Sequence, residues 1–288
     1  MAVRDIKQRI GSVRNVKQIT HAMYAIAMTR VFKMKARLAA TRRYADALEE
    51  SVQHLIYELE DPSHPLLEAK GDSVGILVLN SDRGLCGRFK GDLNRATRDQ
   101  ANQTPHSKLM LGGDKARVFF ENEKFEILKQ YVKFYDDPEY DQAHIIASDL
   151  MHFFTTGAIK ELHVVYMRFI NDFKQEVMSE KILPLSKKEE STELTKEEDK
   201  HYLAEPSVAV ALSHIAPHYL RAKIYRMMME SKASEYAIRR TAMKSATDNA
   251  AELIDELNLQ YNKARQQEIT RAIADIIGGT EALRKQAE

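Results

Sequence analysis

The chain has 288 residues, room for one large domain or two modest ones, with 44% apolar and 30% charged residues. Its single cysteine, Cys86, excludes an internal disulfide and a cysteine-cage zinc site, and no apolar run approaches the roughly 20 residues that cross a bilayer. The formal net charge of +1 hides a strongly basic first segment.

Glycine (11) and proline (7) are scarce, so long uninterrupted elements are expected. The start, Met1-Ala2-Val3-Arg4-Asp5, reads straight into an amphipathic helix without a secretory apolar region. The expectation is a soluble chain that meets a membrane only through partners. Positions alternately four and three apart from Ile6 read Ile6, Ile10, Val13, Lys17, Thr20, Tyr24, Ala27, Val31, Met34, Leu38, Thr41, Ala45, Leu48, Val52, Leu55 and Leu59. That stripe is a coiled-coil seam, interrupted only at Lys17, Thr20 and Thr41. Asp61-Pro62 should end the helix, because proline disfavours helix in the residue before it.

The pattern then changes. Val74–Leu79 is a continuous apolar run, as expected of a strand buried on both faces. Lys108–Leu111 and Leu162–Met167 look similar, and Glu176–Leu183 reads as an edge strand. Helical stretches near Asp92–Gln103, Asp114–Asn122 and Glu139–Gly157 alternate with them, which predicts a small Rossmann-like α/β domain with a partly parallel sheet. The segment 187–201, dense in Lys and Glu, reads as a solvated loop.

Pro206-Ser207 should start the last helix, and Pro217 should kink or restart it. Its apolar positions include Leu220, Ile224, Met227, Ile238, Met243, Leu253, Leu257, Ile269, Ile273 and Ile276. Small residues near Ala233, Ser234 and Ala237 leave room for a close partner helix. The fold class is α+β: a long antiparallel coiled coil of N- and C-terminal helices (1–60 and 207–288) plus the α/β domain (61–206). At 1.5 Å per residue the helices span roughly 85 and 100 Å, so about twenty C-terminal residues should overhang the pair. An overhang carrying Ile273, Ile276 and Ile277 cannot bury that face alone.

Chemistry-bearing patterns are few. Gly84-Leu85-Cys86-Gly87 lacks the Lys-Ser/Thr ending of a phosphate loop and the spacing of a dinucleotide fingerprint, and reads as a tight strand-to-helix turn. Gly112-Gly113-Asp114 reads as a loop leading to a helix N-cap. His21, His54, His163 and His214 show no metal-ligand spacing. No catalytic, cofactor-binding or metal residues are assigned. Before Asp46, eleven basic residues (Arg4, Lys7, Arg9, Arg14, Lys17, Arg30, Lys33, Lys35, Arg37, Arg42 and Arg43) face one acid, Asp5, which calls for an acidic partner. Three classes fit so far: a structural helical subunit, an α/β nucleotide-binding enzyme with a coiled-coil arm, and a nucleic-acid-binding helical arm.

Specific blocks now favour the first class. Ile6-Lys7-Gln8-Arg9-Ile10 and Gln18-Ile19-Thr20-His21-Ala22-Met23 resemble the first helix of F-type ATP synthase gamma subunits. Ser81-Asp82-Arg83-Gly84-Leu85-Cys86-Gly87 is similar to the turn after that family's first strand. Lys232-Ala233-Ser234-Glu235, Ala242–Ala250 and Tyr261–Thr270 resemble its last helix. The resemblance implies a non-catalytic central shaft that transmits torque from an ion-driven c-ring to an alpha3-beta3 ring. The implied partners are three alpha and three beta subunits, epsilon and the c-ring, with no nucleic acid. It implies ring contacts at Met23, Arg30, Lys33, Arg265, Gln266 and Thr270, a bearing tip at Ile273, Ile276 and Ile277, and foot contacts at Tyr202 and Glu205. It also implies a peripheral place on the cytoplasmic face of a bacterial plasma membrane, or the equivalent organelle face. Tyr24 and Phe32 depart from a commonly acidic and a commonly basic residue of that family, and Ala272 from a common acid.

Overall fold

The computed structural model describes residues 3–59, 64–133, 136–187 and 207–286, with side chains up to 278 and at 280. The elements run α1 (Val3–Glu58), β1 (Val74–Leu79), α2 (Phe89–Gln103), β2 (Ser107–Gly112), α3 (Asp114–Phe120), β3 (Glu126–Tyr131), α4 (Tyr140–Thr155), β4 (Glu161–Phe169), β5 (Gln175–Leu183) and α5 (Val208–Gln286). The chain divides into two units: residues 1–26 with 240–288, and residues 27–239.

In the 27–239 unit a five-stranded sheet has the order β3-β2-β1-β4-β5. The first four strands are parallel, and β5 runs antiparallel to β4. β1 is central and all six of its residues are buried, which is why its apolar run shows no alternation. Leu77 and Leu79 face one layer with Val164 and Tyr166, packed on Ile146, Leu150 and Phe154 of α4 and on Val52, Leu55, Leu220 and Ile224 of α1 and α5. Ile76 and Val78 face the opposite layer with Leu109, Leu111 and Met167, against Phe89 and Leu93 of α2 and Phe120 of α3. The sheet is thus covered on both faces. β3 was not expected: its Glu126, Lys129 and Gln130 make a half-polar edge strand without an apolar run.

In the same unit α1 and α5 pack antiparallel. Arg42 pairs with Glu230, Asp46 with Arg226 and Glu49 with Lys223, so position rises on one helix as it falls on the other. Val31, Met34 and Leu38 fill the space left by Ala233 and Ala237; the bulk comes from α1, as the small residues predict. Ser207 Oγ accepts a hydrogen bond from the Val210 N–H and caps α5. Pro217 does not restart the helix, which is continuous from Val208. One missing N–H is tolerated where Leu212, Ala216, Tyr219 and Leu220 are all buried around it.

In the unit of residues 1–26 and 240–288, Ile6 and Ile10 cluster with Leu257, flanked by Val13, Leu253, Tyr261 and Ala264. Thr247 donates to Thr20 at 2.8 Å, so a seam threonine is buried with a polar partner. Beyond Ala264 every described side chain is exposed. Along the whole of α1, every buried residue except Ile56 lies on the predicted stripe.

Candidate functional site

An α/β sheet of this order would bind a ligand where the strand order reverses, at the carboxyl ends of β1 and β4. Here α5 fills that crevice. Ser231 Oγ donates to the Leu79 carbonyl at 2.9 Å and Ser234 Oγ to the Met167 carbonyl at 3.1 Å. Arg239 reaches the Gly84 carbonyl at 3.2 Å. The turn after β1 is consumed by structure. Asp82 Oδ1 accepts the backbone N–H groups of Asp114 and Lys133, each at 2.9 Å, so α3 starts on a remote carboxylate rather than on its own side-chain cap. A side chain on Gly113, at φ 95°, would meet the Asn80 carbonyl oxygen at 2.5 Å, so only glycine fits that approach. Cys86 is buried. Among the described residues no group of His, Cys, Asp and Glu could hold a metal ion, and no helix is long and apolar enough to cross a membrane.

What remains is surface, and charge organises it. Asp137, in the loop before α4, draws three α1 cations to one carboxylate: Arg30 at 3.5 Å, Lys33 at 3.1 Å and Arg37 at 2.6 Å. Burial pulls the Asp137 carboxyl up, but hydrogen bonds and charge from Lys33 and Arg37 win and hold it below its ordinary value. Its neighbour Asp136 pairs with Arg83 at 2.6 Å and Lys232 at 3.5 Å. Lys35 pairs with Asp172 and Arg42 with Glu230, so Arg30, Lys33, Lys35, Arg37 and Arg42 each have an acid among the described residues.

Deeper in the 27–239 unit, α5 buries a row of charges. Lys232 is 0% exposed and pairs with Glu235 at 2.9 Å, while Arg239 approaches the other Glu235 oxygen at 2.6 Å. Burial alone would lower the Lys232 pKa; the Glu235 charge and hydrogen bond outweigh it and raise it. Lys223 sits between Glu180 (2.7 Å) and Glu49 (3.4 Å); burial would lower its pKa, and Tyr219, Glu180 and Glu49 around it outweigh burial and raise it. Sequence reasoning assigned no structural role to Lys232 and Glu235, and gave none at all to Asp136 and Asp137. Their signal was local: an acid three places from a lysine, and an Asp-Asp-Pro triplet before a helix.

The residues expected to make contacts fall out as follows. Arg30 and Lys33 lie together on α1, partly exposed, on Asp137. Met23 is half-buried on α1 in the other unit. Arg265, Gln266 and Thr270 are exposed on α5, with the Thr270 hydroxyl donating back to the Gln266 carbonyl at 2.9 Å. Ile273, Ile276 and Ile277 are exposed on the same stretch, Ile276 by 70%. Tyr202, Glu205 and most of the charged loop 187–201 lie outside the described residues.

The family described as ATP synthase matches residues 2–283. The ATP synthase gamma chain of Desulfitobacterium hafniense is 37% identical over 284 residues, covering 98% of this chain and 99% of that one. The ATP synthase gamma chain of Moorella thermoacetica is 36% identical with the same coverage. Among solved structures, a chain of the Euglena gracilis mitochondrial ATP synthase superposes with a TM-score of 0.71 at 16% identity, covering 99% of this chain and 96% of that one. A chain from the central stalk and c-ring of the Tetrahymena thermophila enzyme gives 0.59 at 22% identity, covering 79% and 99%.

Proposed function

Because the chain belongs to the ATP synthase gamma-chain family, the non-catalytic central-stalk rotor of that complex, we propose that it carries torque between an ion-driven c-ring and a ring of three alpha and three beta subunits. In this reading residues 1–60 and 207–288 form the shaft, and residues 61–206 form the foot. The foot meets epsilon and the c-ring, with Tyr202 and Glu205 among its contacts. Met23, Arg30, Lys33, Arg265, Gln266 and Thr270 face the surrounding ring, and Ile273, Ile276 and Ile277 turn in its bearing. The complex is membrane-associated, and this chain sits peripherally at the cytoplasmic face or the equivalent organelle face.

The observation that carries the reading is the uncovered end of α5. Exposed isoleucines on a stretch that no other described residue covers need an apolar enclosure supplied by other chains. An apolar bearing also suits rotation, since it holds the axle without directional bonds that would create deep wells. The shaft shifts each catalytic subunit between open and closed states because it presents a different face to each. The α5 side chains that fill the crevice at β1 and β4 weigh against a nucleotide enzyme. Internal acids on five early cations weigh against a nucleic-acid arm.

Co-expression with alpha and beta subunits tests this directly. The expected result is one complex, with this chain at one copy to three and three, that hydrolyses ATP and rotates the chain under single-molecule observation. Elution of the chain apart from an intact alpha–beta assembly would overturn the reading.

A further inference from the structure

The loop before α4 carries two adjacent acids that face different elements of the 27–239 unit. Asp136 turns to the β1–α2 turn and α5: its carboxylate pairs with Arg83 and Lys232, and its carbonyl accepts the Tyr236 hydroxyl at 3.4 Å. Asp137 turns to α1 and divides its two oxygens. Oδ1 takes Arg37 at 2.6 Å, whereas Oδ2 is shared by Lys33 at 3.1 Å and Arg30 at 3.5 Å. Arg37 is the anchor of the three. It also donates to the Pro138 carbonyl at 2.5 Å and to the Tyr225 hydroxyl at 3.0 Å, and its side chain is the least exposed, at 30%. The Arg30 and Lys33 side chains are exposed by 42% and 54% and pair with no other acid among the described residues.

The loop has fastenings that do not depend on those two cations. Pro138 confines Asp137 to extended backbone. The Glu139 N–H donates to Gln142 Oε1 at 3.1 Å in the capping box of α4, and Asp136 ties the other side to α5. Oδ2 therefore stays in place on a half-exposed carboxylate when Arg30 or Lys33 swings away.

A stationary acid beside movable cations matters on a turning shaft. A cation that leaves a carboxylate of the surrounding ring with nothing to replace it loses that pair outright, and the loss adds to the barrier of each step. With a second carboxylate in reach, one pair forms as the other breaks. The barrier then carries only the difference between two similar acids.

We propose that Asp137 takes Arg30 and Lys33 back each time they part from the surrounding ring, so that the chain carries its own relay acid. The inference rests on the reading in which Arg30 and Lys33 face the ring. It gives Asp137, which that reading leaves unused, the task of flattening wells that would slow rotation.

Single-molecule rotation of the complex assembled with alpha and beta subunits tests it, at low and at high ionic strength. Asp137→Asn should lengthen the pauses between steps about threefold at low ionic strength, the scale of a part-exposed pair. At high ionic strength, where such charges are screened, the pauses should match the parent's. The same change in an Arg30→Gln, Lys33→Gln chain should do nothing, because the cations it serves are gone. Pauses of parental length or shorter at low salt, or a slowing that survives high salt, would overturn the relay. So would an equal slowing without Arg30 and Lys33, or an Asp137→Asn chain that does not assemble. Each of these leaves the gamma-chain reading standing. A parental chain that neither assembles nor rotates would overturn that reading, and the relay with it.

Discussion

Two stretches of α5 invert the ordinary rule for a water-soluble helix. Between residues 221 and 239 the helix buries Lys223, Glu230, Lys232 and Glu235, whereas between 265 and 278 it exposes Ile269, Ile273, Ile276 and Ile277. The charges tolerate burial because each head group has an opposite charge within hydrogen-bonding reach, and a buried charge costs most when its partner is missing. On the function proposed above, the isoleucines are exposed because their enclosure belongs to other chains. Polarity alone therefore does not say which part of this helix is inside. The identity of the covering surface does, and it differs between a helix locked onto its own sheet and one left for partners.

If the buried row is held by pairing, removing one member should hurt most. Glu235→Ala leaves Lys232 and Arg239 facing each other without their shared carboxylate. We expect a loss of about 3–5 kcal/mol in urea unfolding of the full chain. The double variant Lys232→Met, Glu235→Gln should recover part of that loss, because the buried ammonium goes too. A Glu235→Ala chain as stable as the parent would show that pairing is not what permits these charges inside.

Packing should come next. Met34 is fully buried against Ala233 and Ala237, where the small α5 side chains leave nothing to collapse into the gap. Met34→Ala should cost about 2–4 kcal/mol by the same measurement. Restoration by Ala237→Val in the Met34→Ala background would place the missing volume at that contact.

How legible these two regions were in the sequence follows from the same physics. The α1 stripe was readable because one repeating period marks one buried face, and nearly all its buried residues lie on it. β1 and β4 were readable because double burial erases polar residues. β3 was hidden because an edge strand keeps Glu126, Lys129 and Gln130 in water. Lys232 and Glu235 were hidden because a charged residue reads as exposed until its partner is placed. Asp137 could not be foreseen either: its three cations lie about a hundred positions away. The exposed isoleucines at the end of α5 were legible as a surface needing cover, since exposure there is a consequence of length.

The Asp137 cluster gives a smaller effect with a defined pH dependence. Lys33 and Arg37 hold the folded carboxyl below its ordinary value, so its contribution is present above the unfolded-state pKa and lost as pH falls through the folded one. Asp137→Asn should cost under about 1 kcal/mol at neutral pH, since the pairs are part-exposed and screened. Parent and variant should converge in strongly acidic buffer and in high salt. A gap that persisted at low pH would assign the effect to packing of the loop and not to its charge.

The smallest effect on stability should accompany a large effect on function, and that contrast tests the comparison most sharply. Replacing Ile273, Ile276 and Ile277 together with serine removes apolar groups that already face water in the isolated chain. Unfolding free energy should therefore move by no more than about 0.5 kcal/mol per site. In the assembled complex the same groups must be desolvated to be useful, so coupled ATP synthesis should fall roughly tenfold as the bearing loses its apolar contacts. Glu235→Ala should show the opposite profile, with the chain destabilised before any partner is added. Were the serine variant to unfold early in isolation, the end of α5 would be covered by its own chain. Were it to leave coupled synthesis unchanged, the exposed isoleucines would have no enclosure to fill. Either result would remove the distinction between a helix locked onto its own sheet and one left for partners.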